Sequence, residues 1–458
     1  MQSYGVLSLL PPFLAIVLAI ITRNVHLSLL FGIIAGYGII DGFSPAVLND
    51  TLRAFIDLLQ KGWVLKTLAF AVLVGSIIAL IRKGGGVDGF VSYISRQKGL
   101  ITSRRRAETL PFLIGLAIFI ESSITSLIAG TVSRPLTDRF GTSREKLAYI
   151  CDATSAPVCT MIPFNAWGAL LLGLIAAQIE AGTLHGEPLK LLGGALLFNF
   201  YALFSILLVL YTIVRDIPFK AYTSVTQTPP FHHPKGDLGA LLIPVMTMLL
   251  GTVAGLFISG GGDFFKGSGS TAVFWGVLGA LGAQTLYLWA KKLTTPKNIA
   301  RAVVEGAKEM APVALILLLA FALGALTQKL GTGAYLARYA QASLSPEFLP
   351  AGIFVLSALT AFATGTSWGT FSIMIPVAAA LSSALGGGET LAMLSIAAVI
   401  SGGVFGDHAS PISDTTIISA MAAGCDLIAH VRTQLPWALL AAAFSFISFV
   451  IAGIALSR

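Results

Sequence analysis

Charge is scarce in this chain. Asp, Glu, Lys and Arg make up 11% of its 458 residues, against about 25% in soluble domains, and the mean hydropathy is +0.85. Such a composition excludes an ordinary solvated globular surface. Cysteine is scarcer still. Cys151, Cys159 and Cys425 lie in or beside apolar segments, with neither metal-ligand spacing nor the density of a disulfide framework, so they read as small packed hydrophobes. No phosphate-cradling glycine loop and no nucleophile–base arrangement is present, which argues against an ATP-driven pump and against an enzyme. Sulfur ligands and His clusters for a transition metal are missing as well, and no cofactor is expected. The net charge of +8 does not point to nucleic acid, because the basic residues sit beside apolar runs, as in cytoplasmic loops. The first apolar run has no positively charged region before it and is expected to be retained as a span rather than cleaved.

What is abundant is apolar sequence. Runs of about 20 residues, enough to cross a bilayer as helix, recur along the whole chain. Single spans are expected at 5–22, 25–40, 64–81, 190–214, 239–259, 271–290, 310–327 and 434–456. Two longer spans, 148–179 and 391–424, are interrupted by polar residues and proline, and segments 110–140 and 350–383 have apolar arms around a polar centre. The fold class is therefore an all-α polytopic membrane protein.

Loop charge orders these segments. Lys and Arg crowd into 82–106 (Arg82, Lys83, Arg96, Lys98, Arg104, Arg105, Arg106), 134–146, 215–235 and 291–308, whereas 41–62, 180–189, 260–270, 328–349 and 384–390 are poor in them. With the basic loops inside, along with those holding Arg23 and Arg432, 21 of the 29 Lys and Arg are cytoplasmic, as the positive-inside rule requires of a cytoplasmic (inner) membrane protein. Segment 110–140 must then begin and end inside, and 350–383 must begin and end outside, so each is a re-entrant hairpin. The chain divides into 1–214, a cytoplasmic linker at 215–238, and 239–458. The two halves share one plan of about five spans plus one hairpin, in opposite orientations. Such inverted-topology repeats place transport sites at the midplane, where broken elements meet. Asp152-Ala-Thr-Ser-Ala-Pro157 in one broken span and Asp407-His-Ala-Ser-Pro411 in the other form a weak echo of each other.

Four acids fall at expected membrane depth: Glu121, Asp152, Asp407 and Asp414. Ionisable residues there are costly and normally face a cavity or a partner along an ion or substrate path. Glu121 sits near the tip of the first hairpin with Ser123 and Thr125; Asp152 has Thr154 and Ser155 beside it; the second hairpin tip carries Thr366 and Ser367; the second broken span carries Asp407, His408, Ser410, Ser413, Asp414 and Thr415. Glycine and proline at the breaks free backbone carbonyls. Carboxylates, hydroxyls and free carbonyls are the ligand set of a hard cation such as Na+, with Asp152, Asp407 and Asp414 as its carboxylates. A desolvated carboxylate also tends to hold a proton, so one acid contested by Na+ and H+ suffices for antiport. His408 titrates near neutral pH and could act as a pH sensor. Capping of half-helices is the competing role for each acid, and packing is the competing role for His408, Trp167 and Trp368.

At these residues the chain resembles the NhaC-type Na+/H+ antiporter family, within a wider ion-transporter superfamily. The resemblance is carried by Gly406-Asp-His-Ala-Ser-Pro-Ile-Ser-Asp-Thr-Thr416, Thr364-Gly-Thr-Ser-Trp-Gly-Thr-Phe371, Arg134-Pro-Leu-Thr-Asp138 and Ser143-Arg-Glu-Lys-Leu-Ala-Tyr-Ile-Cys-Asp-Ala-Thr-Ser-Ala-Pro157. It implies exchange of Na+ or Li+ for H+, two inverted repeats with re-entrant hairpins, elevator-like movement and a homodimer. The chain departs from the family's Asp-Asp-Tyr-type cluster in the first hairpin, where Glu121-Ser122-Ser123 stands instead. Relatives that carry malate, lactate or amino acids make a Na+-coupled organic-anion or amino-acid exchanger the alternative.

Overall fold

The computed structural model describes residues 4–22, 24–96, 102–119, 121–222, 236–263, 267–332, 335 and 345–456. Arg23, Lys98 and 223–235 of the predicted linker lie outside them. The described residues are helical throughout, without a strand, and nine of their helices are long and apolar enough to cross a membrane.

A 3-10 turn at Gly5–Leu9 leads into α1 (Leu10–Thr22), which packs on α2 (Val25–Asp41). The Asn24 side chain accepts the Leu27 N–H to start α2. The region 41–62, expected as a loop, instead holds α3 (Ala46–Leu59), bent 120° from α2. Leu48, Leu52, Ile56 and Leu59 point outward along one face of it, a spacing suited to the membrane interface. α4 (Gly62–Lys83) is followed by α5 (Gly86–Arg96) within the first basic segment.

The predicted first hairpin consists of α6 (Arg104–Ala117) and α7 (Ser122–Arg139), packed on each other. The first broken span is α8 (Arg144–Ala153), the single turn α9 (Ala156–Cys159) and α10 (Ala166–Glu180). The expected single span 190–214 is present as Pro188–Val214, with a local break inside it: α11 (Pro188–Leu197) stops at Phe198, and α12 (Phe200–Val214) begins after Asn199, whose side chain caps it through the Ala202 N–H. One polar residue in an apolar run gave no periodicity signal for that break.

α13 (Gly239–Ser259), α14 (Gly269–Ala290) and the 34-residue α15 (Pro296–Lys329) pack with α4. α15 begins well before the expected 310, because Thr295 caps it and Pro296 sits at its first position, where a missing N–H costs nothing. α4 and α15 nearly touch: a Cβ on Gly75 would lie 2.2 Å from the Gly306 carbonyl oxygen, the small-residue contact common between membrane helices.

The second hairpin is α16 (Leu349–Thr364) and α17 (Ser367–Ala384), the second broken span α18 (Gly388–Ala409) and α19 (Asp414–Ala423), and the final helix α20 (Leu427–Leu456). α20 starts seven residues before the expected 434, so Arg432, expected in a loop, is helical. Gly365 turns the hairpin at φ 68, a conformation that disfavours side chains, and its Cα packs so closely on Ile412 that a Cβ would lie 2.8 Å from it. The hairpin tip is thereby fixed against the break between α18 and α19.

Candidate ion-binding site

That contact positions Asp407. α18 ends two residues later, Pro411 cannot supply an amide N–H to continue the helix, and α19 restarts at Asp414. Asp407 is 3% exposed. Its Oδ2 accepts from Ser367 Oγ at 2.6 Å and its Oδ1 from Ser413 Oγ at 2.5 Å. Ser367 opens α17 and Ser413 precedes α19, so one carboxylate ties the hairpin to both arms of the break. Ser413 Oγ lies 3.0 Å from Thr415 Oγ1, and Thr416 Oγ1 donates to the carbonyls of Asp407 and His408 at 3.4 and 3.2 Å. The result is a buried concentration of oxygen atoms from Asp407, Ser367, Ser413 and Thr415.

The other acids are arranged around it at different depths. Asp414 is exposed at the first position of α19, where negative charge meets the positive helix end. Glu121 is half-buried and caps α7: its Oε1 accepts the Ser123 N–H at 3.0 Å and its Oε2 the Ile124 N–H at 2.9 Å. Asp152 is fully buried on the other side. The carboxylate of Asp407 is within electrostatic reach of Asp414 and Asp152, and that of Asp414 within reach of Glu121 and Asp152.

Several expected site residues face elsewhere. The hydroxyls of Thr125 and Thr154 bond carbonyls of their own segments, to Glu121 at 2.8 Å and Ile150 at 2.6 Å. Ser155 Oγ donates to the Asp152 carbonyl at 2.8 Å. Thr366 caps α17 through the Gly369 N–H, and Ser410 Oγ donates to the Phe362 carbonyl at 2.8 Å. Ser123 presents its backbone N–H, not its hydroxyl, to Glu121.

Behind Asp407 lies a polar layer that the sequence did not single out. Asp152 Oδ2 accepts from His430 Nε2 at 3.1 Å and from Gln434 Nε2 at 3.0 Å. Gln434 Nε2 also donates to the His408 carbonyl at 2.5 Å, and Tyr201 Oη meets His408 Nδ1 at 2.7 Å. Further out, Ser401 Oγ donates to Asn199 Oδ1 and Asn199 Nδ2 to Thr160 Oγ1, each at 3.0 Å. Asn165 Nδ2 bonds the carbonyls of Phe119 and Cys159 at 2.7 and 2.8 Å, joining the first hairpin to the first break. His430 and Gln434 stand four residues apart, on one face of α20. That spacing was the available signal.

Membrane-crossing helices, interrupted where a buried carboxylate and hydroxyls converge, define a multi-pass membrane transporter of the secondary type. The chain belongs to the Na+/H+ antiporter family, which it matches over residues 158–454. It is 33% identical to an uncharacterized Haemophilus influenzae protein, over 98% of this chain and 91% of that one. Over about a quarter of each chain it is 38% identical to an uncharacterized Na+/H+ antiporter of the same organism and 35% identical to the malate-2H+/Na+-lactate antiporter of Bacillus subtilis. Two solved transporters share its fold at 15% identity. Neisseria gonorrhoeae MtrF, described as one of a class of antimetabolite efflux pumps, has a TM-score of 0.56 over 89% of this chain and 83% of its own. Alcanivorax borkumensis YdaH has a TM-score of 0.59 over 89% of each.

Proposed function

We propose that the protein exchanges Na+ or Li+ for H+ across the cytoplasmic membrane by alternating access, with Asp407 as the central cation ligand. The observation that supports this reading most is the Asp407 carboxylate, buried and flanked on both oxygens by hydroxyls from the hairpin and the break. A buried carboxylate without a counter-charge is costly, so a bound Na+ or a bound proton each neutralises it, and neither needs the other present. Ser367, Ser413 and Thr415 would complete the oxygen shell once their hydroxyls rotate toward the ion. Asp414 and Glu121, the more accessible acids, would attract the cation toward the buried site, with Asp152 acting from behind. In this reading the two halves are inverted repeats, and the hairpins and broken spans move as a unit against α4, α13, α14 and α15. The family resemblance adds a homodimer.

The test is Na+-driven dissipation of a preset pH gradient in proteoliposomes. Na+ or Li+ should collapse the gradient, K+ should not, and Asp407→Asn should abolish the effect. A gradient that responds only when malate, lactate or an amino acid is supplied would replace this reading with organic-solute exchange. Full activity in Asp407→Asn would remove the site assignment.

A further inference from the structure

The turn from α14 to α15 joins two membrane-crossing helices, on the side that loop charge assigns to the cytoplasm. One face of it is filled. Leu288, Ile299 and Ala302 are buried together with Leu80 of α4 and Ala240 of α13. The opposite face is open. There Trp289, Lys292, Leu293, Thr295, Pro296 and Asn298 border a groove of about 700 Å3. Trp289 is 57% exposed and Leu293 37%, so the groove has an apolar wall beside a charged one. Exposed tryptophan at the end of a membrane helix is the usual occupant of the headgroup level.

The charge on this face is all of one sign. Lys291, Lys292 and Lys297 are exposed and make no ion pair with a described residue. The acids of neighbouring segments are taken. Glu305 meets Arg301 at 3.8 Å, Glu309 meets Arg82, and Asp237 accepts from Tyr287 Oη at 2.7 Å. The backbone holds one of the lysines in place. α14 closes with Leu293 N–H on the Leu288 carbonyl and Lys292 N–H on the Trp289 carbonyl, each at 3.0 Å. That cap sets Lys292 at φ 55, a left-handed position that glycine normally takes. Lysine gives up backbone ease there, and its cation borders the groove.

We propose that this groove seats the headgroup of an anionic phospholipid of the cytoplasmic leaflet. Its phosphate lies among Lys291, Lys292 and Lys297, and its glycerol and upper acyl carbons cover Trp289 and Leu293. Charge selects the partner: three unpaired cations within seven residues face the leaflet that carries negative lipid. The apolar wall selects a lipid over a dissolved anion, because a free phosphate would leave Trp289 and Leu293 uncovered. The site is independent of the transported solute. In the cycle proposed above, α14 and α15 belong to the static side, so a lipid held here fastens that side to the membrane surface.

The test is native mass spectrometry of the purified whole chain in mild detergent, titrated with dioleoylphosphatidylglycerol or dioleoylphosphatidylcholine. Each lysine near an anionic surface contributes about fivefold in affinity, so phosphatidylglycerol should bind about a hundredfold tighter than phosphatidylcholine. Lys291→Gln, Lys292→Gln and Lys297→Gln together should erase that preference. Three other exposed cations serve as the control: Arg105→Gln, Lys220→Gln and Lys308→Gln together should leave it in place. Trp289→Ala should weaken both lipids alike, since it removes only the apolar wall. No preference for phosphatidylglycerol in the unaltered protein, equal loss in the two triple variants, or parent-like binding by Trp289→Ala overturns the proposal. So does displacement of the lipid by millimolar inorganic phosphate, which would make the groove a site for a free anion.

Discussion

Ser367 and Ser413 approach Asp407 from different elements and take opposite oxygens of its carboxylate. Hydrogen bonds to charged groups contribute roughly 1.5–3 kcal/mol, so Ser367→Ala and Ser413→Ala should each raise the Na+ concentration giving half-maximal exchange by about tenfold or more. Unchanged values in both variants would mean that the hydroxyls neither hold nor orient the ligand. These residues were readable in the sequence because they sit in dense polar runs at the helix breaks, where apolar sequence would otherwise be expected. Tyr201, His430 and Gln434 were not. Each is a separate polar side chain in or beside an apolar stretch, and it becomes part of a constellation only when α8, α12, α18 and α20 are brought together. The hydroxyls of Thr154, Ser155 and Ser410, expected at the site, bond nearby carbonyls in the structure, as short hydroxyl side chains at helix ends commonly do.

At the scale of elements, the first hairpin is anchored to its neighbour by a buried ion pair. Lys146 Nζ at the start of α8 lies 2.6 Å from Glu108 Oε2 on α6, both side chains being inaccessible. Thr142 Oγ1 donates to the other Glu108 oxygen at 3.0 Å, and Lys146 also reaches the Thr212 carbonyl of α12 at 3.3 Å. Glu108 also takes Arg104 Nε at 3.1 Å, so it is Lys146 that is left buried without a carboxylate when its partner is removed, at a cost of about 3–5 kcal/mol. Glu108→Gln should therefore lower the unfolding temperature of the detergent-solubilised protein markedly, and adding Lys146→Met should recover much of the loss. A single variant as stable as the parent would show that water reaches Lys146. The sequence yielded helix-break-helix elements at 110–140 and 350–383 because loop charge constrained both termini of each: basic loops flank the first, and loops poor in Lys and Arg flank the second. It did not yield α3, whose apolar stripe alternates with Asn49, Asp50, Arg53 and Asp57, nor the break between α11 and α12, which depends on the Asn199 cap.

For the molecule as a whole, composition alone fixed the class: so little charge over so much apolar length is compatible with multiple membrane crossings and little else. The choice of cargo does not follow from the fold, since transport function resides in the site rather than the scaffold. We take the cargo to be a small hard cation because carboxylate and hydroxyl oxygens lie close around one buried acid. Asp407 thus carries the central claim that Na+ and H+ bind in competition. Calorimetric titration of Na+ into the purified protein, repeated in buffers of different ionisation enthalpy, measures the protons released for each Na+ bound. The account predicts release that grows in proportion to Na+ binding, with both Na+ binding and release lost in Asp407→Asn. Sodium binding with no proton released, or binding and release that survive Asp407→Asn, would contradict it.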